Sequence, residues 1–249
     1  MYKWCVQPKQ QRDLTLFVEQ DNGIVGTFYQ SCMDEAAIDK LGNAPLQPML
    51  KKVEEVEDMK SLTNMLVWMG NHDNGALFGW GVSPDSENPE SRAFYMSPGG
   101  MTLPDQSYYL QNDPEMKGHR AIEKGIIEKL LINAGVPEQQ ARKDALNCLA
   151  IETRTAEITM KREEARGAVG KRITRKQLKE TVPLLHWDSF FEGIGMGDVG
   201  LDGGPQLIMR DDKFFGISVC IFSCVNVCLS DCQSVCLSVS VSLSGCLAV

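Results

Sequence analysis

Basic residues are in the minority in this chain: 25 Lys and Arg stand against 33 Asp and Glu, a net charge of −8. A nucleic-acid partner wants a basic face, so that class of function is excluded. The densest basic run, Lys171-Arg172-Ile173-Thr174-Arg175-Lys176, has acids around it and reads as a solvated helix start. Cysteine is scarce in the body. Only Cys5, Cys32 and Cys148 precede Phe214, too few for a disulfide framework. Histidine is rarer, at three residues, and neither a Gly-rich phosphate loop nor a Ser or Cys nucleophile signature occurs. The opening Met1-Tyr2-Lys3-Trp4-Cys5-Val6-Gln7-Pro8-Lys9-Gln10 has no apolar stretch and is no secretory signal. After Lys213 charge itself disappears, with Asp231 the sole exception.

What is present suffices for a globular body. The 249 residues, 43% of them hydrophobic, can hold one large domain or two small ones and bury a sizeable core. The composition divides the chain into a leader over 1–23, a body over 24–213 and a Cys/Ser/Val/Leu tail over 214–249.

Helical spacing dominates the body. Ile24 to Leu41 reads as one helix, with Gly42 as a left-handed cap. Met49, Leu50, Val53 and Val56 mark a shorter helix, and Glu54-Glu55-Val56-Glu57-Asp58 is its wet side rather than a metal or acid/base site. Leu62, Met65, Leu66 and Met69 stripe a third, from Ser61 to Asn71, which Asn74-Gly75 ends. Two apolar, aromatic runs, Ala76–Val82 and Arg92–Met96, flank a Pro/Asp/Asn-rich turn and predict a β-hairpin.

Asp105 is the expected N-cap of a short turn, and Asp113-Pro114 opens a helix whose buried face is Met116, Ile122, Ile126, Leu130 and Ala134, closed by Gly135. Pro137 starts a long helix to about Glu164 with Ala141, Ala145, Cys148, Leu149, Glu152, Ala156 and Met160 inward. Thr174-Arg175-Lys176-Gln177 fits a capping box, and Trp187-Asp188 begins a last short helix. The expected fold is mainly α, a multi-helix lobe with one β-hairpin.

Several segments in order resemble the amino-terminal lobe of the neprilysin and endothelin-converting-enzyme family of zinc metallopeptidases. They are Thr27-Phe28-Tyr29-Gln30-Ser31-Cys32-Met33 through Gly42, Phe78-Gly79-Trp80-Gly81-Val82 with Asp85, and Gly100-Met101-Thr102-Leu103-Pro104-Asp105 through Leu110. Ile151-Glu152-Thr153-Arg154-Thr155-Ala156-Glu157 and Leu184-Leu185-His186-Trp187-Asp188-Ser189-Phe190-Phe191 follow, and Ile208-Met209-Arg210-Asp211-Asp212 extends the likeness. The resemblance implies a fold incomplete relative to the family's two lobes, with peptide substrates and a zinc ion belonging to the complete protein. It also implies a secreted or membrane-anchored relative with its catalytic part outside the cytoplasm, and an incomplete start here. Gly170-Lys171-Arg172 stands where many relatives have a Tyr-Asn pair. In animal relatives the cysteine matching Cys32 bonds to the second half of the protein, so Cys32 is expected as a free thiol.

Peptidases of that type need H-E-x-x-H, in which two imidazoles one helical turn apart hold zinc and the Glu activates its water. His72, His119 and His186 do not begin that motif. His119 and Glu123 form an i,i+4 pair that reads as an ordinary contact. His186 beside Trp187 reads as packing, and Glu152 as a hydrogen-bonded structural carboxylate. No catalytic or metal residue is assigned, no zinc is expected on this chain, and substrate-binding residues stay unknown.

In the tail, Cys220, Cys224, Cys228, Cys232 and Cys236 recur every fourth residue. A metal site suits this spacing poorly. A membrane span is open, though Phe214–Leu229 is shorter than the roughly 20 residues a crossing helix needs. A translated TGTC repeat, which cycles Cys-Leu-Ser-Val in any frame, is preferred. Three functions follow in order: the substrate-enclosing lobe of a zinc endopeptidase, inactive alone; a non-catalytic peptide- or partner-binding module or truncated product; and a tail-anchored membrane protein.

Overall fold

A computed structural model describes residues 24–72 and 77–216. The leader over 1–23, the Asn74-Gly75 helix stop and the tail readings from residue 217 onward lie outside the described residues. The chain divides into two compact units, one up to Gln47 and one from Pro48.

The first unit holds helices α1 (Ile24–Met33) and α2 (Glu35–Leu41) and a 3-10 turn, Ala44–Leu46. Sequence spacing predicted one helix here, and the chain breaks it at Asp34. That residue leaves helical geometry (φ −80°, ψ 74°), and its carboxylate accepts the Ala37 N–H at 3.0 Å, so it caps α2. A short acid competes well for backbone donors and favours such a cap over a helix interior. Gly42 closes α2 with φ +54°, but its ψ of −129° is not the left-handed helical cap expected. Its N–H still returns to the Ile38 carbonyl.

In the second unit, α3 (Gln47–Glu54) and α4 (Met59–Gly70) bury the stripes read from the sequence, Met49, Leu50, Val53 and Val56, then Leu62, Met65, Leu66 and Met69. Asp58, counted above among the wet acids, is the N-cap of α4 and forms a reciprocal box with Ser61. The hairpin forms as β1 (Phe78–Pro84) and β2 (Arg92–Pro98), antiparallel, with Trp80 opposite Met96.

The hairpin is half of a larger sheet. Strands β3 (Lys171–Ile173) and β4 (Gln206–Met209) extend it in the order β1-β2-β4-β3, with β2 and β4 parallel. Three- and four-residue strands carry no readable alternation, and β4 meets β2 only after more than a hundred intervening residues. The central strands are buried through Ala93, Phe94 and Met96 and through Leu207, Ile208 and Met209.

Helix α5 (Ser107–Leu110) starts one residue later than expected, after Gln106, although the Asp105 carboxylate still accepts the Ser107 N–H at 2.8 Å. Helix α6 (Pro114–Asn133) begins at its Asp113 cap as predicted and ends before Gly135, whose φ is +100°. Its inward face is rotated by one residue. Glu123, Ile127 and Leu131 are buried, while Ile122 and Ile126 are 64% and 44% exposed. An apolar count cannot place a glutamate inside, and that glutamate sets the register.

Helix α7 (Glu138–Ile158) packs along α6 and stops before Glu164, with α8 (Arg162–Gly167) following the break. At the break, the Met160 N–H donates to the buried Asp211 carboxylate at 2.7 Å. The other Asp211 oxygen accepts the Phe214 N–H at 2.9 Å. One carboxylate thus joins the end of α7 to the start of the helical residues 212–216. Phe214 and Phe215, which open the uncharged stretch, are both buried.

Helix α9 (Arg175–Thr181) carries the capping box read at Thr174 and Gln177. Helix α10 (Trp187–Gly193) brings Trp187, Phe190 and Phe191 against Phe78, Trp80 and Phe94, the aromatic heart of the core. The Trp187 indole N–H donates to the Val182 carbonyl at 2.8 Å, which removes the cost of burying it. Gly193 permits close approach of α10 to α4: a Cβ there would lie 2.6 Å from a Val67 methyl.

Candidate functional site

The histidines are dispersed in role. His72 stacks on Trp68 with ring centroids 4.2 Å apart and shares a 2.7 Å hydrogen bond with the Trp68 carbonyl. His119 turns toward Glu115, at 4.0 Å, and lies beside Tyr108, rather than pairing with Glu123. His186 precedes α10, and its backbone N–H donates to Thr63 Oγ1 at 3.3 Å. Among the described residues no three His, Cys, Asp or Glu side chains gather closely enough to hold a metal ion. Cys32 is half-buried with a free thiol, and the Cys148 thiol donates to the Asp144 carbonyl at 2.7 Å.

Polar chemistry in the interior instead anchors segments. The loop from Gly100 to Asp105 is hung on Glu152 of α7. Thr102 Oγ1 donates to one Glu152 oxygen and the Tyr109 hydroxyl to the other, each at 2.7 Å. The Tyr109 oxygen in turn accepts the N–H groups of Thr102 and Leu103 at 3.1 and 2.8 Å. Burial pushes the Glu152 carboxyl up, against the two hydroxyls that pull it down. Burial, with the Glu152 charge added, also pushes the Tyr109 phenol up. Glu123 from α6 lies nearby in the same interior, raised by burial and then by Glu152. Its Oε1 has no hydrogen-bond partner among the described residues.

A second anchor ties the hairpin turn to β3. Arg172 meets Asp85 through two parallel bonds of 2.8 and 2.5 Å, and its Nε reaches Glu87 at 3.1 Å. The guanidinium holds the Asp85 carboxyl far below the usual carboxylate range, helped by the Glu87 N–H. A third anchor is the buried Arg175. Its guanidinium donates to the Val199 carbonyl at 2.5 Å, sits 4.4 Å from the Phe191 ring centroid, and approaches Asp188 at 3.6 Å. Its backbone N–H donates to the carbonyl of Gly200, whose φ of +70° suits only glycine. None of these anchors was assigned from the sequence except Glu152; an ion pair such as Asp85–Arg172, 87 positions apart, leaves no spacing to read.

The chain matches the profile of peptidase family M13, in its amino-terminal domain region, over residues 8–219. The chain belongs to peptidase family M13. Among curated relatives, Neprilysin-3 of Drosophila melanogaster is 27% identical over 180 residues, covering 66% of this chain and 22% of the relative. Endothelin-converting enzyme-like 1 of Mus musculus is 28% identical over 208 residues, covering 75% and 26%. The chain therefore spans about a quarter of the length of the curated relatives it matches.

A solved zinc metalloprotease of Mycobacterium tuberculosis, in complex with an inhibitor, superimposes with a TM-score of 0.78 at 24% identity. The match covers 93% of this chain and 36% of that one, and it establishes the fold. The M13 family suggests zinc, and the residues described here do not fit it. His72 stacks on Trp68, His119 lies against Glu115 and Tyr108, and the buried Glu152 is committed to two hydroxyl donors.

Proposed function

We propose that this chain supplies the amino-terminal, substrate-enclosing lobe of a neprilysin-like zinc metalloendopeptidase, and that the zinc and its ligands come from polypeptide beyond these residues. The profile match over residues 8–219 carries the reading, because it falls in the family's amino-terminal region while the sequence holds no H-E-x-x-H. On this reading the helices and the four-stranded sheet wall a peptide-sized chamber. The anchors at Glu152, Asp85 and Arg175 keep its loops in place, and peptides are the substrates of the assembled enzyme.

Reconstitution tests the proposal. The chain is co-expressed with a polypeptide that carries the remainder of an M13 peptidase, including H-E-x-x-H. A zinc-dependent endopeptidase that neither polypeptide yields alone is the expected result. Efficient peptide cleavage by the zinc-bearing polypeptide alone, unchanged by this chain, would refute the assignment. Saturable peptide binding by this chain alone would instead favour a non-catalytic binding module.

A further inference from the structure

Among the described residues of the second unit, the longest exposed run is Lys161 to Val169, nine residues between α7 and β3. We propose that this crossing is a processing site for an arginine-directed endopeptidase, which hydrolyses the Arg166–Gly167 bond and leaves a folded body of two chains. The crossing has no packing of its own. Helix α8 spans six residues and buries none of them. Its polar ties lie at its start. The Lys161 N–H donates to the Glu164 carboxylate at 3.2 Å, the Ala165 N–H to the Lys161 carbonyl at 2.8 Å, and Arg162 is 3.9 Å from Asp105. A helix this short is not self-supporting, and a segment with few buried contacts opens at little cost.

A trypsin-like protease needs a cationic side chain for its acidic primary pocket and an exposed backbone around the bond it cuts. Arg166 supplies the cation, and the residues after it have already left the helix. Ala168 is extended (φ −75°, ψ 115°), and Val169 is 80% exposed. No carbonyl of α8 accepts the Ala168 N–H, whereas at the end of α2 the Gly42 N–H returns to Ile38. A Cβ at Gly167 would meet nothing within 4 Å, so the bond to be cut stands clear of the fold.

The other arginines of the second unit stand where cutting is resisted. Arg120, Arg142 and Arg154 lie inside helices of 20 and 21 residues. Arg92 sits in the β1–β2 ladder opposite Pro84, and Arg172 is clamped by Asp85. Arg175 is buried, and the Arg210 N–H donates to the Met96 carbonyl at 2.9 Å. Arg162 follows closely on Met160, whose N–H is tied to Asp211.

Hydrolysis adds water across the amide, giving a carboxylate on Arg166 and an ammonium on Gly167. Both sides of the cut remain held. Before it, the Met160 N–H donates to Asp211 of the other fragment at 2.7 Å. After it, Gly170 packs so closely on β4 that a Cβ would lie 2.5 Å from an Ile208 methyl. Across it, Arg172 donates to Asp85 at 2.8 Å, β4 pairs with β2, and Trp187 and Phe191 pack on Phe78 and Phe94. The site is independent of any peptidase activity in the chain itself.

Limited digestion of the full chain with an arginine-specific endopeptidase, read by intact-mass spectrometry, tests the proposal. Within residues 24–216 the first cut should fall after Arg166. The nicked product should elute from gel filtration with the intact chain and separate into two fragments in denaturant. Arg166→Lys should abolish that cut, and a lysine-specific endopeptidase should then cut after position 166. A first cut at another arginine in that range would overturn the proposal. So would a chain left whole under conditions that degrade its urea-unfolded form, or fragments that part in native buffer.

Discussion

At the residue scale, the carboxylates of this chain fall into two classes with opposite effects of pH on stability. Asp85 is depressed in the folded state, first by its hydrogen bonds to Arg172. Its stabilisation is full above the ordinary value of 3.8 and is lost as pH falls through the lower folded value. Glu123 and Glu152 are raised, first by burial. The unfolded chain therefore releases their protons before the folded one does, and folding weakens as pH climbs from the ordinary value of 4.5 toward the folded values. Urea midpoints at pH 3, 5, 7 and 9 check the signs. Asp85→Asn should flatten the loss below pH 4, and Glu123→Gln should flatten the decline above pH 5. Parallel curves for both variants and the native chain would contradict both assignments.

At the scale of elements, caps and close approaches are the sensitive points. Thr174→Ala removes the N-cap of α9 and should cost about 1 kcal/mol in denaturant unfolding. Gly193→Ala drives a methyl into Val67 and should cost about 1–3 kcal/mol, much of it recovered by Val67→Ala in the same chain. Strict additivity of that pair would show that the contact does not form. Phe94→Ala, in the central strand and fully buried, should cost about 3–5 kcal/mol.

Elements with local signals were legible in the sequence. The Asp113-Pro114 start, the Thr174–Gln177 box, the Trp187 helix and the glycine-aromatic hairpin all stand where spacing put them. Features fixed by distant partners were not. The face of α6 turns on a buried Glu123, the end of α7 on Asp211 some fifty residues later, and β4 on a parallel pairing with β2. The break at Asp34 was local, yet helical periodicity outweighed a single capping acid in the reading.

At the scale of the whole molecule, family and fold were legible because short motifs recur in order, and several of them serve an anchor. Gly100–Leu110 and Glu152 meet in one hydrogen-bond cluster, and Asp85 of the hairpin meets Arg172. A reactive centre was not legible: His72 and His119 lie against neighbouring aromatic and acidic groups, and Glu152, Asp85 and Asp211 are engaged in anchoring. That arrangement has one direct consequence for the purified chain. Incubated with equimolar zinc, desalted, and assayed for metal content and for cleavage of a mixed peptide pool with and without chelator, it should retain no stoichiometric zinc and cut no peptide. One bound zinc per chain together with chelator-sensitive hydrolysis would contradict the account.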